Sequence, residues 1–114
     1  MNQKKTLGID FDGVVHQYKG WDGDIPTGGP VIGAKEALSR LKAKGYGLVC
    51  FSTRKPALIL QWLKENDMEG IFDDVTTEKR PFYLIVEDRA VLFKGNWDKA
   101  LEKIEEFKTY WEKE

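Results

Sequence analysis

The chain contains the run Thr6-Leu7-Gly8-Ile9-Asp10-Phe11-Asp12-Gly13, in which an apolar stretch ends at two aspartates and a glycine. A short apolar run bounded by turn residues is typical of a buried strand, so we predict a strand over residues 6–11. Side chains two residues apart on a strand share a face, so the carboxylates of Asp10 and Asp12 can approach one ion where the strand ends. Asp-Gly is also a common turn pair, and an ordinary turn explains this run equally well.

Further along the chain, apolar strand-like runs alternate with helical patterns, and glycines and prolines separate them. A glycine-rich loop precedes the first helix, and long loops in compact domains are often functional. The alternation predicts right-handed crossovers and a mostly parallel sheet in an α/β fold. The apolar spacing of three and four in the C-terminal segment predicts an amphipathic helix packed on the sheet. The predicted segments are loop 14–30, helix 33–44, strand 46–51, helix 56–66, strands 70–75 and 82–86, and a helix carrying Trp97, Leu101, Ile104, Phe107 and Trp111.

Polar residues follow three of the predicted strands. Asp10 and Asp12 close the first strand, Ser52 and Thr53 the second, and Glu87 and Asp88 the fourth. Ligands of parallel α/β sheets gather beyond the carboxyl ends of the strands, so we expect these side chains to converge there. Each also has a purely structural explanation.

The structural explanations are ordinary ones. Ser52 or Thr53 can cap the next helix, and Glu87 can pair with Arg89 at the surface. Lys79, taken alone, reads as a solvated lysine. His16, the only histidine, is expected at the surface of the loop, where its closeness to Asp12 also allows a substrate contact.

Four short motifs together resemble those of the haloacid dehalogenase superfamily. Asp10-Phe11-Asp12-Gly13-Val14-Val15 resembles the first motif, DxDGx(V/T), and Ser52 after a strand resembles the second. Lys79 resembles the third motif, and Glu87-Asp88 the acidic fourth. The resemblance implies a Rossmann-like three-layer sandwich over residues 1–114. Neither gap between motifs is long enough for a cap domain, so the resemblance implies a capless member whose loop 14–30 forms a flap.

The resemblance also implies an activity, which is the hydrolysis of phosphate monoesters with magnesium. Asp10 would be the nucleophile that forms an aspartyl-phosphate, and Asp12 the general acid and base, a role that favours a raised pKa. Ser52 and Lys79 would stabilise the transferring phosphate. The implied metal-site residues are Asp10, Asp12, Glu87 and Asp88, and the implied substrate-binding residues are Gly13, Ser52, Thr53 and Arg54.

Two positions depart from the family pattern. The fourth motif of similar small members usually reads Asp-Asp-Arg-Ala, whereas this chain has Glu87, so we place the direct metal ligand on Asp88. The third motif often reads Lys-Pro, whereas Arg80 separates Lys79 from Pro81, so Arg80 competes for the cationic role. An open site fits a nucleotide, a sugar phosphate or the phosphorylated end of a macromolecule, and Tyr18 and Trp21 either stack on substrate or pack the flap.

Composition limits the other function classes. The formal net charge of −1 provides no global field that would attract nucleic acid. With Cys50 as the only cysteine, no intrachain disulfide is possible. The N-terminal sequence resembles neither a signal peptide nor a membrane span, so we expect a cytoplasmic protein. A homodimer is possible. Two alternatives remain, a non-catalytic binding module with the same fold and a receiver-type phosphoacceptor domain.

Overall fold

The computed structural model describes residues 4–112, which form four strands and three helices. In chain order these are β1 (Thr6–Ile9), α1 (Ala34–Ala43), β2 (Gly47–Phe51), α2 (Pro56–Glu65), β3 (Asp74–Thr76), β4 (Leu84–Val86) and α3 (Trp97–Glu106). Each predicted element is present, but most are shorter than the apolar runs in the sequence. β1, for example, ends before Phe11, because the Phe11 carbonyl accepts hydrogen bonds from the N–H groups of Val15 and His16 and so closes a turn.

The strands form one sheet in the order β3-β2-β1-β4, and all three neighbouring pairs are parallel. Ile9, at the end of β1, is in register with Cys50 of β2 and Val86 of β4. The predicted parallel sheet in an α/β fold is therefore confirmed. Because β1 is an inner strand, the residues that follow it lie between the ends of β2 and β4.

One face of the sheet carries the hydrophobic core. The chain steps from β1 to β2 to β3 in one direction, and crossovers of one hand in one direction place their helices on the same face. α1 and α2 are those helices, and their buried side chains share a cluster with alternate residues of β1 and β2. The central members of this cluster are Leu7, Ile9, Leu38, Leu48, Cys50, Ile59, Trp62 and Leu63.

The third strand differs from its prediction for a packing reason. The predicted strand 70–75 begins only at Asp74, and Met68, Ile71 and Phe72 instead form a turn whose side chains enter the core. The backbone here follows a bend, with the Ile71 N–H donating to the Met68 carbonyl at 3.1 Å. Apolar character at these positions therefore reflects burial in a loop, which periodicity alone does not separate from a strand.

The opposite face of the sheet is covered near its centre by the loop before β4. Gly8 lies directly beneath Phe82, and a Cβ atom at this position would stand 2.5 Å from the Phe82 ring. Phe82 also contacts Phe51 of β2, with 6.0 Å between the ring centroids. A glycine in the middle of β1 is therefore required for this aromatic ring to reach the sheet.

The prediction that the C-terminal helix packs on the sheet, as the third layer of a sandwich, is wrong for the structure. Within residues 4–112, no Cα atom of α3 lies within 8 Å of a Cα atom in another helix or in a strand. Trp97 is 67% exposed and Ile104 is 51% exposed. A crossover helix is held in place by the strand that follows it, and within the described residues 107–112 no strand follows α3. Only Ala100 of this helix is buried. Over the described residues, no helix has the length and apolar character needed to cross a membrane.

Candidate active site

A cavity of about 330 Å³ opens at the carboxyl ends of the strands. It is lined by residues that follow three different strands and by two aromatic residues of the flap. The predicted convergence of polar residues at this edge is therefore observed. The lining residues are Asp10, Asp12, Tyr18, Trp21, Phe51, Ser52, Thr53, Ile85, Glu87 and Arg89.

Asp10 occupies the partly buried centre of this edge. Its backbone N–H donates to the Val86 carbonyl at 2.9 Å, which joins it to β4, and its carboxylate accepts from the Phe11 N–H at 2.8 Å. Burial raises the pKa of Asp10 to about 7, and the neighbouring Asp88 carboxyl adds to the rise, although the Phe11 hydrogen bond opposes it. Ionisation of Asp10 is therefore unfavourable in the absence of a neighbouring positive charge.

Asp12 is in the opposite electrostatic situation. Its carboxylate accepts from Arg54 Nε at 2.8 and 2.9 Å and from His16 Nδ1 at 2.8 Å. Burial acts to raise the pKa of Asp12, but the hydrogen bonds from His16 and Arg54 and the guanidinium charge outweigh it and hold the pKa below its ordinary value. The expectation of a raised pKa at Asp12 is therefore wrong; Asp10 is the carboxyl whose pKa is raised.

His16 is a buried component of the site, and the expectation that it lies at the surface is wrong. It is 3% exposed and its ring stacks on Phe11, with 5.2 Å between the centroids. Its Nε2 accepts from the Gly28 N–H at 2.9 Å, so the neutral ring carries its hydrogen on Nδ1 and donates it to Asp12. The sequence signal is weak, being only the spacing of four residues from Asp12.

Arg54 connects Asp12 to the flap. Its side chain is 2% exposed, and Nη1 donates to the carbonyl oxygens of Gly23 at 3.0 Å and Asp24 at 2.8 Å. The Trp21 ring lies over the guanidinium, 4.6 Å from ring centroid to Cζ. The Nε and Nη1 donors of Arg54 thus hold Asp12 and the flap, and its predicted substrate-binding role stays a prediction.

The flap is consequently an ordered part of the site. The flap is hydrogen-bonded to Arg54 and to His16. In addition, its Gly28 carbonyl accepts a hydrogen bond from the Trp62 indole N–H at 2.8 Å. Trp62 belongs to α2 and is buried in the core. The flap is thus anchored to residues that also position Asp12. Trp21 packs on Arg54 and lines the cavity, and its stacking on substrate stays a prediction.

Ser52 and Thr53 line the cavity, and neither caps a helix. α2 begins at Pro56 with Lys55 as its N-cap residue. Ser52 is buried, and its Oγ accepts from the Arg54 N–H at 3.2 Å, which leaves the hydroxyl hydrogen able to donate to a ligand oxygen. The predicted position of Ser52 as a phosphate-oxygen donor is compatible with this geometry.

The predicted third-motif cations lie outside the cavity. Lys79 is exposed and is not a lining residue. Arg80 donates to Asp74, the first residue of β3, at 2.6 Å and is not a lining residue either. Arg89 is the cation that lines the cavity, and sequence reasoning assigned it no role beyond a surface pair with Glu87. Its position directly after Asp88, at a strand end, was the available signal.

Gly13 has a backbone conformation and surroundings that exclude a side chain. Its φ is 82°, and an added Cβ atom would overlap the Asp88 carboxylate. Its N–H donates to the His16 carbonyl at 2.8 Å, which closes the loop after Asp12. Gly13 therefore allows the ends of β1 and β4 to approach, and this close approach brings Asp88 next to Asp10.

Of the four predicted metal-site residues, the structure brings the carboxylates of Asp10 and Asp88 next to each other, and metal binding by the set stays a prediction. Among residues 4–112, no group of three or more His, Cys, Asp or Glu side chains is arranged to hold a metal. The Asp12 carboxylate is occupied by Arg54 and His16, and Glu87 lies on the cavity wall. Asp10 and Asp88 remain as adjacent acidic oxygens. This fits Mg²⁺, which is commonly bound through one or two carboxylates and keeps several waters.

Comparisons with known proteins support the fold and nothing finer. No protein-family model matches the chain, and no curated protein is significantly similar to it. A solved structure of a conserved protein from Bacteroides thetaiotaomicron superposes with a TM-score of 0.61 at 24% sequence identity, and the match covers 95% of each chain. At this level of identity the likeness concerns the fold alone. The chain therefore has an α/β fold that also occurs in that Bacteroides protein.

Proposed function

We propose that this chain is a magnesium-dependent phosphomonoester hydrolase with a capless fold of the haloacid dehalogenase type. The observation that carries the proposal is the Asp10–Asp88 pair at the adjacent ends of β1 and β4, where burial and mutual repulsion raise the pKa of Asp10 to about 7. A cation bound beside this pair would favour the ionised form of both carboxylates. Ser52 at the end of β2 provides a hydroxyl beside the same cavity.

In the proposed reaction, an Asp10 carboxylate oxygen attacks phosphorus and the bond from phosphorus to the ester oxygen breaks. Water then attacks the aspartyl-phosphate, which releases inorganic phosphate and regenerates the Asp10 carboxylate. Asp10 and Asp88 would hold the magnesium ion, which would neutralise negative charge on the phosphate. The Ser52 hydroxyl donates to a phosphate oxygen, and Arg89 provides the positive charge of the cavity wall in place of Lys79.

The lowered pKa of Asp12 sets a condition on its role as acid and base. To protonate a leaving alkoxide, Asp12 must carry a proton, which the Arg54 guanidinium opposes. After the leaving group has departed, Asp12 acts as the base, and its lowered pKa then favours the reaction. A carboxylate held by Arg54 and His16 is already charged and oriented to accept a proton from water. Protonation of the leaving group is therefore the demanding half of this role, and it depends on the substrate.

For Asp12→Asn we expect a loss that depends on the leaving group. With an alkyl phosphate, kcat/KM should fall about 10²- to 10⁴-fold, the usual contribution of a general acid. With a nitrophenyl phosphate, whose phenolate leaves without a proton, kcat/KM should fall far less. Steady-state kinetics on the two esters measure this difference. Equal losses on both esters would show that Asp12 is not the general acid.

The direct test of the proposed function is phosphate release from a panel of monoesters, with Mg²⁺ and with EDTA. We expect release with Mg²⁺ and less than about one hundredth of that rate after chelation, because the Asp10–Asp88 pair then repels the phosphate. The panel contains a nitrophenyl ester, nucleotides, sugar phosphates and a 5′-phosphorylated oligonucleotide. Absence of release from every ester would refute the proposal.

One second candidate has an observation in its favour. The Asp12 carboxylate accepts hydrogen bonds from Arg54 and His16, and Lys79 is outside the cavity, as in a binding module that retains the fold without turnover. Such a module would bind Mg²⁺ and a phosphate ester without releasing phosphate. A receiver domain is disfavoured because β3 ends at Thr76, and Asp73 and Asp74 lie at its opposite end.

A further inference from the structure

The C-terminal segment 107–112 returns to the candidate active site after α3 ends. The Tyr110 hydroxyl donates to the Gly13 carbonyl, and the Trp111 indole N–H donates to the Asp88 carboxylate. Gly13 follows β1 and Asp88 follows β4, so these two hydrogen bonds join the C-terminal segment to the ends of both strands. Thr109, only 5% exposed, holds the turn through its hydroxyl, which donates to Glu112 at 2.8 Å.

The Trp111 ring is fixed by two further contacts. The ring of Tyr18 meets it edge to face, with 4.9 Å between centroids, and the Arg89 guanidinium lies 5.6 Å from its centroid. Both Tyr18 and Arg89 line the cavity. The indole is therefore held in place from the flap and from β4, independently of its hydrogen bond to Asp88.

We propose that Trp111 is a positioning residue of the magnesium site, which orients the Asp88 carboxylate as a metal ligand. An indole N–H can donate but not accept, so it supports the ionised carboxylate. Its bond uses one lone pair of Oδ2, and the remaining lone pairs of Asp88 stay available to an ion shared with Asp10. Groups that hydrogen-bond to a ligating carboxylate commonly change metal affinity by 10–100-fold when they are removed.

This inference rests on the proposed magnesium site but not on turnover. The test is Mn²⁺ binding to the full chain without substrate, read from the electron paramagnetic resonance signal of free Mn²⁺. For Trp111→Phe, which keeps an aromatic ring against Tyr18 and Arg89 but removes the N–H, we expect the Kd to rise about tenfold or more. Trp97→Phe, on the exposed face of α3, is the matched control and should leave the Kd unchanged.

A double-variant cycle then tests whether Trp111 acts through Asp88. In an Asp88→Asn background, Trp111→Phe should cause no further loss of Mn²⁺ affinity, because the carboxylate it orients is absent. Thermal melting of each variant checks that the fold is kept. A Kd for Trp111→Phe equal to that of the wild type, or lower, would overturn the inference, as would full additivity with Asp88→Asn.

These outcomes separate the inference from the proposed function. A wild-type chain that binds Mn²⁺ more tightly than Trp111→Phe, yet releases no phosphate from any ester, supports the inference and refutes the phosphatase. An active phosphatase whose Mn²⁺ affinity is unaffected by Trp111→Phe refutes the inference alone. Failure of the wild-type chain to bind Mn²⁺ refutes both.

Discussion

Asp10→Asn is expected to lower kcat/KM for phosphate release by about 10⁴-fold or more, since removing the nucleophile of a covalent mechanism leaves only binding and electrostatic assistance. The amide is close in volume to the carboxylate and can still accept from the Phe11 N–H. Asp67→Asn, which alters an exposed aspartate paired with Lys35, is the control and should keep full activity. Release by Asp10→Asn within tenfold of the wild-type rate would remove Asp10 from the nucleophile role.

The same variant has a second expected effect, on stability in EDTA. Because the pKa of Asp10 is raised from 3.8 to about 7, the folded state binds more protons than the unfolded chain between these pH values. The free energy of unfolding should therefore fall as the pH rises through this window. Asp10→Asn removes the titrating group, so urea denaturation at pH 5 and pH 8 should show a smaller fall than in the wild type. An unchanged pH dependence would contradict the assignment.

Arg54→Met is expected to be the most destabilising of the site substitutions. It leaves Asp12 partly buried without its guanidinium partner and releases the carbonyls of Gly23 and Asp24. Removing one partner of a buried ion pair costs about 3–5 kcal/mol, and we expect about 3 kcal/mol because His16 still donates to Asp12. Urea denaturation at pH 7 in EDTA measures this change in the free energy of unfolding.

Two further variants show whether the loss of stability in Arg54→Met comes from the unpaired charge of Asp12. Lys55→Met alters the neighbouring cation, which is exposed and 3.7 Å from Asp24, and should change stability by less than about 1 kcal/mol. Adding Asp12→Asn to Arg54→Met should restore part of the loss, because the buried charge is then gone. A loss of under 1 kcal/mol for Arg54→Met would mean that the flap and Asp12 do not depend on this arginine.

The sequence by itself determined the parallel sheet and the edge at which the polar residues meet. Strand-like apolar runs ending at Asp10, Ser52 and Glu87 carry this information locally, because each polar residue directly follows the run that places it. The helices α1 and α2 were predictable for the same reason, since their apolar spacing and their glycine and proline boundaries are local features.

The partners of the charged groups were decided only by the tertiary structure. Lys79 was preferred over Arg80 on motif spacing, yet Lys79 is exposed and neither residue lines the cavity, whereas Arg89, just after β4, lies on the cavity wall. The pKa of Asp12 depends on Arg54, which is 42 residues away in sequence. A pKa follows from burial and neighbouring charge, and neither quantity is a property of a short motif.

The C-terminal segment shows most clearly that contacts between distant residues do not follow from a local sequence pattern. Trp97 and Trp111 belong to one apolar stripe in the sequence, and periodicity placed both in a single helix packed on the sheet. In the structure α3 ends at Glu106, which leaves Trp97 exposed and carries Trp111 to Asp88. Apolar spacing determines which residues can share a helix face, but where the chain leaves the helix, and what it then contacts, depends on groups brought together from the flap, β1 and β4.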